Sequence, residues 1–361
     1  MQGVPTLQIA LLASSRQLLK WFALAASAAA CGQLLHAMGV PAGLFLGPML
    51  AAMGFGIAGS NLRLHRQIFR FGQGCVGLLV AHSVTWTVLS AMVQSWHLML
   101  VATLITVLLS ALVGLGTVRF GGIPGSTAAW GTAPGAASAM VMMAEENGAD
   151  GRVVATMQYV RVVCVVMIGS LVSHLLGATA GASVASGAPA VVQDPQPMAT
   201  LLSVAVVLAG ITLGNRLPAG ALLTPLLLGG ALQLSGLLTI SLPEPLLAAA
   251  YGAIGCYIGL RFDRPTVRYV WRRLPTMIAG ALALILACAA CAYLLAVAMG
   301  TDFLSMYLAT SPGGLDAMAI IAVETHADVG LVLAMQTLRL FGVILTGAFC
   351  ARQIIRLTQA R

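Results

Sequence analysis

Two arginines, Arg161 and Arg339, have the strongest potential for chemistry in this sequence, because each lies inside an otherwise apolar run. Each follows about nine residues of its run, so a helical rise of ~1.5 Å per residue carries it roughly 14 Å inward, near the middle of a ~30 Å hydrocarbon layer. Placing an arginine at that depth costs about 2.5–3.5 kcal/mol in the free energy of membrane insertion, so the side chain needs a polar or charged partner. Gln158 and Gln336 each precede an arginine by three residues and share its helix face. One interpretation is that all four side chains bind an anionic substrate.

The other interpretation pairs each arginine with a nearby acid, which gives the arginines a purely structural role. The candidate pairs are Arg161 with Glu146 or Asp150, and Arg339 with Asp316 or Glu324. Both interpretations stay open on the sequence alone.

Proline and glycine interrupt two apolar stretches, 122–145 and 303–324. Helix breakers at membrane depth are tolerated only where protein or a water-filled cavity surrounds them, and the backbone groups that they free can bind a ligand. Two such stretches at matched positions favour a binding site over simple packing kinks. The residues predicted to shape that site are Pro134, Gly135, Ser138, Pro312, Gly313 and Gly314.

Carboxylates in the same stretches are candidates for coupling to an ion. Asp316 stands where the first broken stretch has Ser138, and a lone carboxylate in a glycine-rich membrane segment could bind a proton or Na⁺. Glu146 and Glu324 follow at matched positions and are the other two candidates. The alternative for Asp316 is an ion pair with Arg339.

The elements that must position these residues are membrane helices. The chain is 59% hydrophobic and 8% charged, with a formal charge of +8, whereas soluble domains are about a quarter charged. We predict about ten apolar spans, and the run after Lys20 is a retained first helix rather than a signal peptide because a second run follows at once. The spans are 20–38, 41–59, 71–92, 97–118, 153–177, 199–215, 219–240, 245–260, 275–299 and 329–350.

The chain repeats itself. Residues 134–161 align without a gap with residues 312–339, at an offset of 178 and with twelve identities in 28 positions. A shorter match relates 40–50 to 217–227. We therefore predict a first membrane repeat at 1–177, a linker at 178–198 and a second membrane repeat at 199–361.

Basic residues change sides between the repeats. In the first repeat the basic loop follows the second span and contains Arg63, His65, Arg66 and Arg70. In the second repeat the basic loop follows the third span and contains Arg261, Arg264, Arg268, Arg272 and Arg273. Because basic loops stay in the cytoplasm, the repeats are predicted to be inverted, with both termini cytoplasmic. Inversion needs an odd number of crossings in each half, so the broken stretches are predicted to be re-entrant. The alternative is that they cross as discontinuous helices while another run does not.

Other kinds of site lack a signal. The six histidines and seven cysteines show no metal-ligand spacing, apart from Cys288 and Cys291, which form a C-x-x-C inside an apolar run. Nucleophile, phosphate-loop and dinucleotide motifs are absent from the sequence, so we predict no metal, no cofactor and no catalytic residue. The basic residues lie in short clusters between apolar runs, which excludes a soluble nucleic-acid-binding domain.

The two copies of P-G-x-x-x-A-M, each followed by an acidic turn and M-Q-x-x-R, resemble the AbrB family of duplicated bacterial membrane proteins over nearly the whole chain. The resemblance implies a distant relation to cation/proton antiporters and anion transporters with inverted repeats. Members carry two labels, ammonia monooxygenase and regulator. The first implies a copper or iron site, for which this sequence offers no ligand cluster, and the second implies an indirect effect on gene expression.

Together these observations predict an all-α polytopic protein of the bacterial inner membrane. Its predicted function is secondary transport of a small anionic metabolite, coupled to an ion. The alternative is a membrane-embedded sensor or regulator that transports nothing. The expected partners are the lipid bilayer, a small-molecule substrate and a second copy of the chain in a homodimer.

Overall fold

The computed structural model describes residues 4–82, 86, 96–133, 140, 141, 144, 145, 148–176, 197–216, 220–340 and 342. These residues form helices and connecting loops, and no β-strand occurs among them. The helices up to residue 176 are α1 (Val4–Ala37), α2 (Gly43–Ile57), α3 (Arg66–Ala81), α4 (Trp96–Gly121), α5 (Gly125–Thr132) and α6 (Gly151–Leu175).

The helices after residue 196 are α7 (Pro197–Leu213), α8 (Gly220–Leu234), α9 (Glu244–Gly259), α10 (Arg264–Val270), α11 (Leu274–Met299), α12 (Phe303–Thr310), α13 (Leu315–Glu324) and α14 (Val329–Leu340). A short 3₁₀ turn, Gly214–Arg216, ends α7.

Helix bounds recur along the chain at the offset seen in the sequence. Helices α4 and α11 begin at residues 96 and 274 and end at 121 and 299, so both bounds differ by 178. The same offset relates α3 to α9 and α5 to α12. Helices α2 and α8 differ by 177 and each contains a proline, Pro48 and Pro225. The inverted arrangement of the two halves stays a prediction.

Four helical segments are long and apolar enough to cross a membrane: Gln17–Ala37, Met99–Gly121, Gly151–Leu175 and Leu274–Met299. The bent pair α9 and α10, which meet at 49°, gives a fifth if it counts as one span. Large apolar side chains such as Phe120 and Leu294 face outward, which suits contact with lipid. Among the described residues the structure is thus that of a helical membrane protein, and the count of ten spans stays a prediction.

The helices pack as two groups. The glycine-packed group contains α1, α2, α3, α7, α8 and α9, and the broken-helix group contains α4, α5, α6 and α11 to α14. In the glycine-packed group, backbones touch where a side chain would not fit: a Cβ on Gly77 would lie 2.2 Å from the Leu222 carbonyl, and one on Gly259 would lie 2.3 Å from that of Met49. These contacts join α3 to α8 and α2 to α9 and hold the group close together.

Candidate functional site

Two short helices of the broken-helix group end inside the protein for the same local reason. Helix α5 ends before Ala133 and α12 before Ser311, and the next residue is Pro134 or Pro312. The residue before a proline is kept out of the helical region, and Ala133 and Ser311 are accordingly extended, with ψ of 128° and 136°. Each break leaves the last carbonyls of its helix without backbone partners.

The two glutamines predicted from sequence satisfy some of these carbonyls. Nε2 of Gln158 donates to the carbonyls of Trp130 at 2.9 Å and Ala133 at 3.0 Å. Nε2 of Gln336 donates to those of Leu308 at 2.8 Å and Ser311 at 3.1 Å. Both acceptors differ between the halves by 178 residues, so the two sites have the same construction.

The two arginines bind the same helix ends. Nη1 of Arg161 donates to the Thr132 and Ala133 carbonyls at 3.1 and 3.0 Å. Arg339 donates from Nη1 to the Ser311 carbonyl at 2.6 Å and from Nη2 to the Gly313 carbonyl at 3.1 Å.

Each arginine also donates from Nη2 to the side-chain oxygen of the glutamine three residues before it, Gln158 or Gln336. A guanidinium at a helix C-terminus is favourable because this end carries partial negative charge. The arginines therefore cap the broken helices.

The ion pairs considered from the sequence do not form with the acids that the structure describes. Asp150, Asp316 and Glu324 bind other groups, and neither arginine has a carboxylate within 4.0 Å among the described residues. Glu146 lies outside them. The Nε atoms of both arginines are buried and have no hydrogen-bond partner within the described part of the chain.

Both arginines are buried, with 4% of Arg161 and 5% of Arg339 exposed. Buried positive charges without a carboxylate partner among the described residues favour a bound anion.

Two aspartates fix the helices that carry the arginines. The Asp150 carboxylate caps the start of α6 and accepts a hydrogen bond from the Tyr269 hydroxyl at 2.7 Å. Asp328, 178 residues later, accepts from the Leu331 backbone N–H at 2.9 Å. Burial acts to raise the pKa of Asp150, but the hydrogen bonds from Tyr269 and from two backbone N–H groups, with the charge of Arg273, outweigh it and hold this pKa below its usual value.

Asp316 and Glu324, the described ion-coupling candidates, both face the glycine-packed group. Asp316 lies in the first turn of α13 and accepts a hydrogen bond from Nε2 of Gln73 on α3, at 2.9 Å. Glu324, at the other end of α13, accepts from the backbone N–H of Ala42 at 2.6 Å, where α2 begins. Neither carboxylate has a cationic partner among the described residues. Each can therefore lose its contact with the glycine-packed group without breaking an ion pair.

The interface between the groups is closed at the Glu324 end. Besides the bond to Ala42, the Ser170 hydroxyl donates to the Pro41 carbonyl, and Nδ1 of His174 lies 3.2 Å from the Gly39 carbonyl. Three side chains of the broken-helix group thus hold the loop between α1 and α2.

The interface is open at the other end, where a cleft of about 400 Å³ lies between α6, α9 and the start of α3. Four arginines line it, together with one carboxylate, Asp263, and two tyrosines. The arginines are Arg63, Arg66, Arg152 and Arg261. The sequence indicated Arg63, Arg66 and Arg261 only as markers of membrane orientation, and it did not single out Arg152.

The remaining site predictions fall into two sets. Pro312, Gly313 and Gly314 form the break between α12 and α13, where Gly313 supplies a carbonyl to Arg339 and Gly314 precedes α13. The others, Pro134, Gly135, Ser138 and Glu146, lie outside the described residues. Sequence reasoning missed Gln73 and Ala42, because a lone glutamine and a backbone N–H carry no recognisable pattern. Among the described residues no three His, Cys, Asp or Glu side chains are grouped as metal ligands.

Comparisons with known proteins give one consistent result. A family model described as "Transition state regulatory protein AbrB" matches residues 44–355. The protein named "Putative regulator AbrB" of Escherichia coli (strain K12) is 43% identical over 325 residues, which cover 88% of this chain and 91% of the relative. "Uncharacterized protein YhjN" of Bacillus subtilis (strain 168) is 27% identical over 349 residues, which cover 90% of each.

Proposed function

We propose that this chain, which belongs to the AbrB family, is a secondary transporter of the bacterial inner membrane. Its substrate is a small anionic metabolite, and transport is coupled to a proton or Na⁺. The observation that carries the proposal is the interface between the two helix groups, which is closed at the Glu324 end, open at the arginine-lined end, and contains carboxylates without cationic partners.

Alternating access needs such an interface. When the broken-helix group moves against the glycine-packed group, the contacts of Glu324, Ser170 and His174 break and the interface opens at the Glu324 end. Each contact is a single hydrogen bond to a backbone group of the loop 39–42. Single bonds of this type contribute about 0.5–1.5 kcal/mol each, which is small enough for reversible opening.

The roles of the residues follow from their contacts. Arg161 and Arg339 hold the ends of the broken helices. Their Nε atoms have no partner among the described residues, and the anion binds there. Gln158 and Gln336 fix both guanidinium groups. In this proposal Pro312–Gly314 shape one hairpin tip, and Pro134, Gly135 and Ser138, which lie outside the described residues, shape the other.

Asp316 binds the coupling ion, because its neighbour Gln73 is neutral and adapts to either protonation state through its amide. Glu324 and, in the other half, Glu146 respond to the same movement.

The proposal includes the membrane arrangement. The halves 1–177 and 199–361 are inverted repeats of five spans each, joined by the linker 178–198, with re-entrant broken stretches and both termini in the cytoplasm. The coincidence of helix bounds at an offset of 178 supports the duplication. The ion pair between Arg63 and Asp263, 3.9 Å apart, brings together the basic loops that follow α2 and α9, as inversion requires.

The test begins with a thermal-shift screen of the purified protein in detergent, against carboxylic acids and amino acids, with and without Na⁺ and across pH. A ligand at about a hundred times its dissociation constant adds about 2.7 kcal/mol of stability. A compound that stabilises the protein in this screen is then tested for transport into proteoliposomes. Asp316→Asn keeps an oxygen for Gln73 but removes the charge, so we expect bound substrate and lost ion dependence. Flux with unchanged ion dependence in this variant would contradict the role of Asp316.

The second candidate is a membrane-embedded sensor or regulator, which the name of the Escherichia coli relative favours. It uses the same interface to report a bound ligand to a partner, without contact with nucleic acid. Ligand binding without flux in proteoliposomes, for the wild-type protein and in both orientations, distinguishes it from the transporter.

A further inference from the structure

The cleft at the open end of the interface carries far more positive than negative charge. Four guanidinium groups and one carboxylate line it, which gives a formal charge of +3. The one ion pair among the described residues joins Asp263 to Arg63, at 3.9 Å, and the Arg63 side chain is 87% exposed. Arg66, Arg152 and Arg261 therefore have no carboxylate partner within the described part of the chain.

Aromatic rings hold two of these arginines in place, and one is Arg152, 5.3 Å from the centre of the Tyr269 ring. The Arg261 guanidinium lies 4.6 Å from the centre of the Tyr257 ring and 5.8 Å from that of Tyr159, and it also donates to the Tyr257 hydroxyl. Phe69 stacks on Tyr257, with ring centres 4.1 Å apart. Contacts with ring faces leave several guanidinium N–H groups free, so Arg261 is both restrained and available as a donor.

The lining comes from both helix groups. Arg152 and Tyr159 lie on α6 of the broken-helix group, whereas Arg66 begins α3 and Tyr257 lies on α9 of the glycine-packed group. The volume, about 400 Å³, is within the usual range of small-molecule sites. An anion in the cleft would contact arginines of both groups at once.

We infer that this cleft is a binding site for a phosphate group. The planar fork of arginine matches phosphate oxygens in a bidentate manner, and a phosphate group offers several acceptor oxygens to arginines on different sides of the cleft. Bound phosphate bridges Arg66 to Arg152 and ties the two helix groups together in the open arrangement. The site stands whether or not the chain transports a substrate.

Two sources could supply this phosphate: a soluble phosphorylated compound or the headgroup of an anionic lipid. Pyrophosphate is the probe for the first, titrated calorimetrically into the purified full-length protein at constant ionic strength. Phosphatidylglycerol retained through purification, measured by native mass spectrometry, is the readout for the second. Saturable pyrophosphate binding, specific lipid retention, or both support the site and identify its source.

The variants make the test specific. The double variant Arg66→Gln with Arg152→Gln removes one charge from each helix group, and neither arginine has an ion pair among the described residues. We expect its pyrophosphate affinity to fall about tenfold or more, or its retained lipid to be lost. The matched control is Arg268→Gln with Arg272→Gln, which removes two exposed charges from the same basic region outside the cleft.

Melting curves without ligand show whether each variant is folded. If the cleft variant unfolds, Arg66→Lys with Arg152→Lys replaces it, since lysine keeps the charge but loses the bidentate contact. No saturable binding of either probe would overturn the inference. An equal loss in the cleft and control variants would also overturn it, because only general charge attraction would then remain.

Discussion

The capping role of the buried arginines predicts a definite loss of stability for Arg339→Gln. The substitution removes the donors to the Ser311 and Gly313 carbonyls, at 2.6 and 3.1 Å. Ser311 keeps its bond from Gln336 at 3.1 Å, so two buried acceptors lose this donor, the Gly313 carbonyl and the Gln336 side-chain oxygen. An unsatisfied buried acceptor costs about 1–3 kcal/mol, and losing the charge at the helix end adds about 0.3–1 kcal/mol. We expect a total of about 2–7 kcal/mol.

Arg161→Gln provides an internal comparison. It removes the donor to the Thr132 carbonyl and to the Gln158 side-chain oxygen, while Ala133 keeps the bond from Gln158 at 3.0 Å. Arg161 and Arg339 differ in one carbonyl, that of Thr132 against that of Gly313, but each variant removes the donor to two buried acceptors, so the two losses should be of similar size. Arg119→Gln, at the exposed end of α4, is the matched control and should change stability by less than about 0.5 kcal/mol.

The assay is reversible unfolding of the purified protein in mixed micelles with increasing denaturing detergent, followed by tryptophan fluorescence. Trp130 is a useful reporter, because it is buried and its carbonyl accepts from Gln158. If both buried-arginine variants are as stable as Arg119→Gln, the capping argument is wrong. A variant that keeps its stability but loses flux would show instead that its arginine contacts the substrate.

Three other predictions concern the interface, the glycine contacts and the topology. Glu324→Ala removes the acceptor for the Ala42 N–H and should cost about 1–2 kcal/mol by the same unfolding assay, whereas Glu324→Gln keeps an oxygen and should cost little. Gly77→Ala places a Cβ against the Leu222 carbonyl and should destabilise by at least about 1–3 kcal/mol, while Gly54→Ala, with nothing within 4 Å, should be neutral or slightly stabilising in melting experiments. Cysteines placed singly at positions 148 and 326, which are exposed and 178 residues apart, should react with impermeant reagents from opposite sides in whole cells and inverted vesicles; labelling from one side would refute the inverted repeat.

Particular residues show why part of this structure could be predicted from the sequence. The break between α12 and α13 follows from Pro312 and its glycines, because proline restricts the residue before it. The joint position of Gln336 and Arg339 on one helix face follows from their spacing of three residues. Such features are local, and the repeat displays them twice.

The partners of the same residues could not be predicted, because they are backbone groups or distant neutral side chains. The sequence offered acidic residues as the partners of the two arginines. The arginines instead bind backbone carbonyls, which every residue has. Asp316 binds Gln73, which lies 243 residues away and has no distinguishing pattern around it. The cleft is a further case, since Arg63, Arg66 and Arg261 belong to two basic segments that by themselves indicate only membrane orientation, and Arg152 lies apart from them on α6.

A comparison of the two repeats separates residues that maintain the fold from a residue that could couple transport to an ion. Arg161 and Gln158 are repeated as Arg339 and Gln336, and each pair binds the C-cap residue of its broken helix, Ala133 or Ser311, so these residues maintain both breaks. The contact between Asp316 and Gln73 is different, because the positions 178 residues away hold Ser138 and Tyr251. A carboxylate with a neutral amide partner therefore occurs once at this level of the repeat. If transport is coupled to an ion, we expect one coupling site per chain, at Asp316, and a charge movement that disappears in Asp316→Asn.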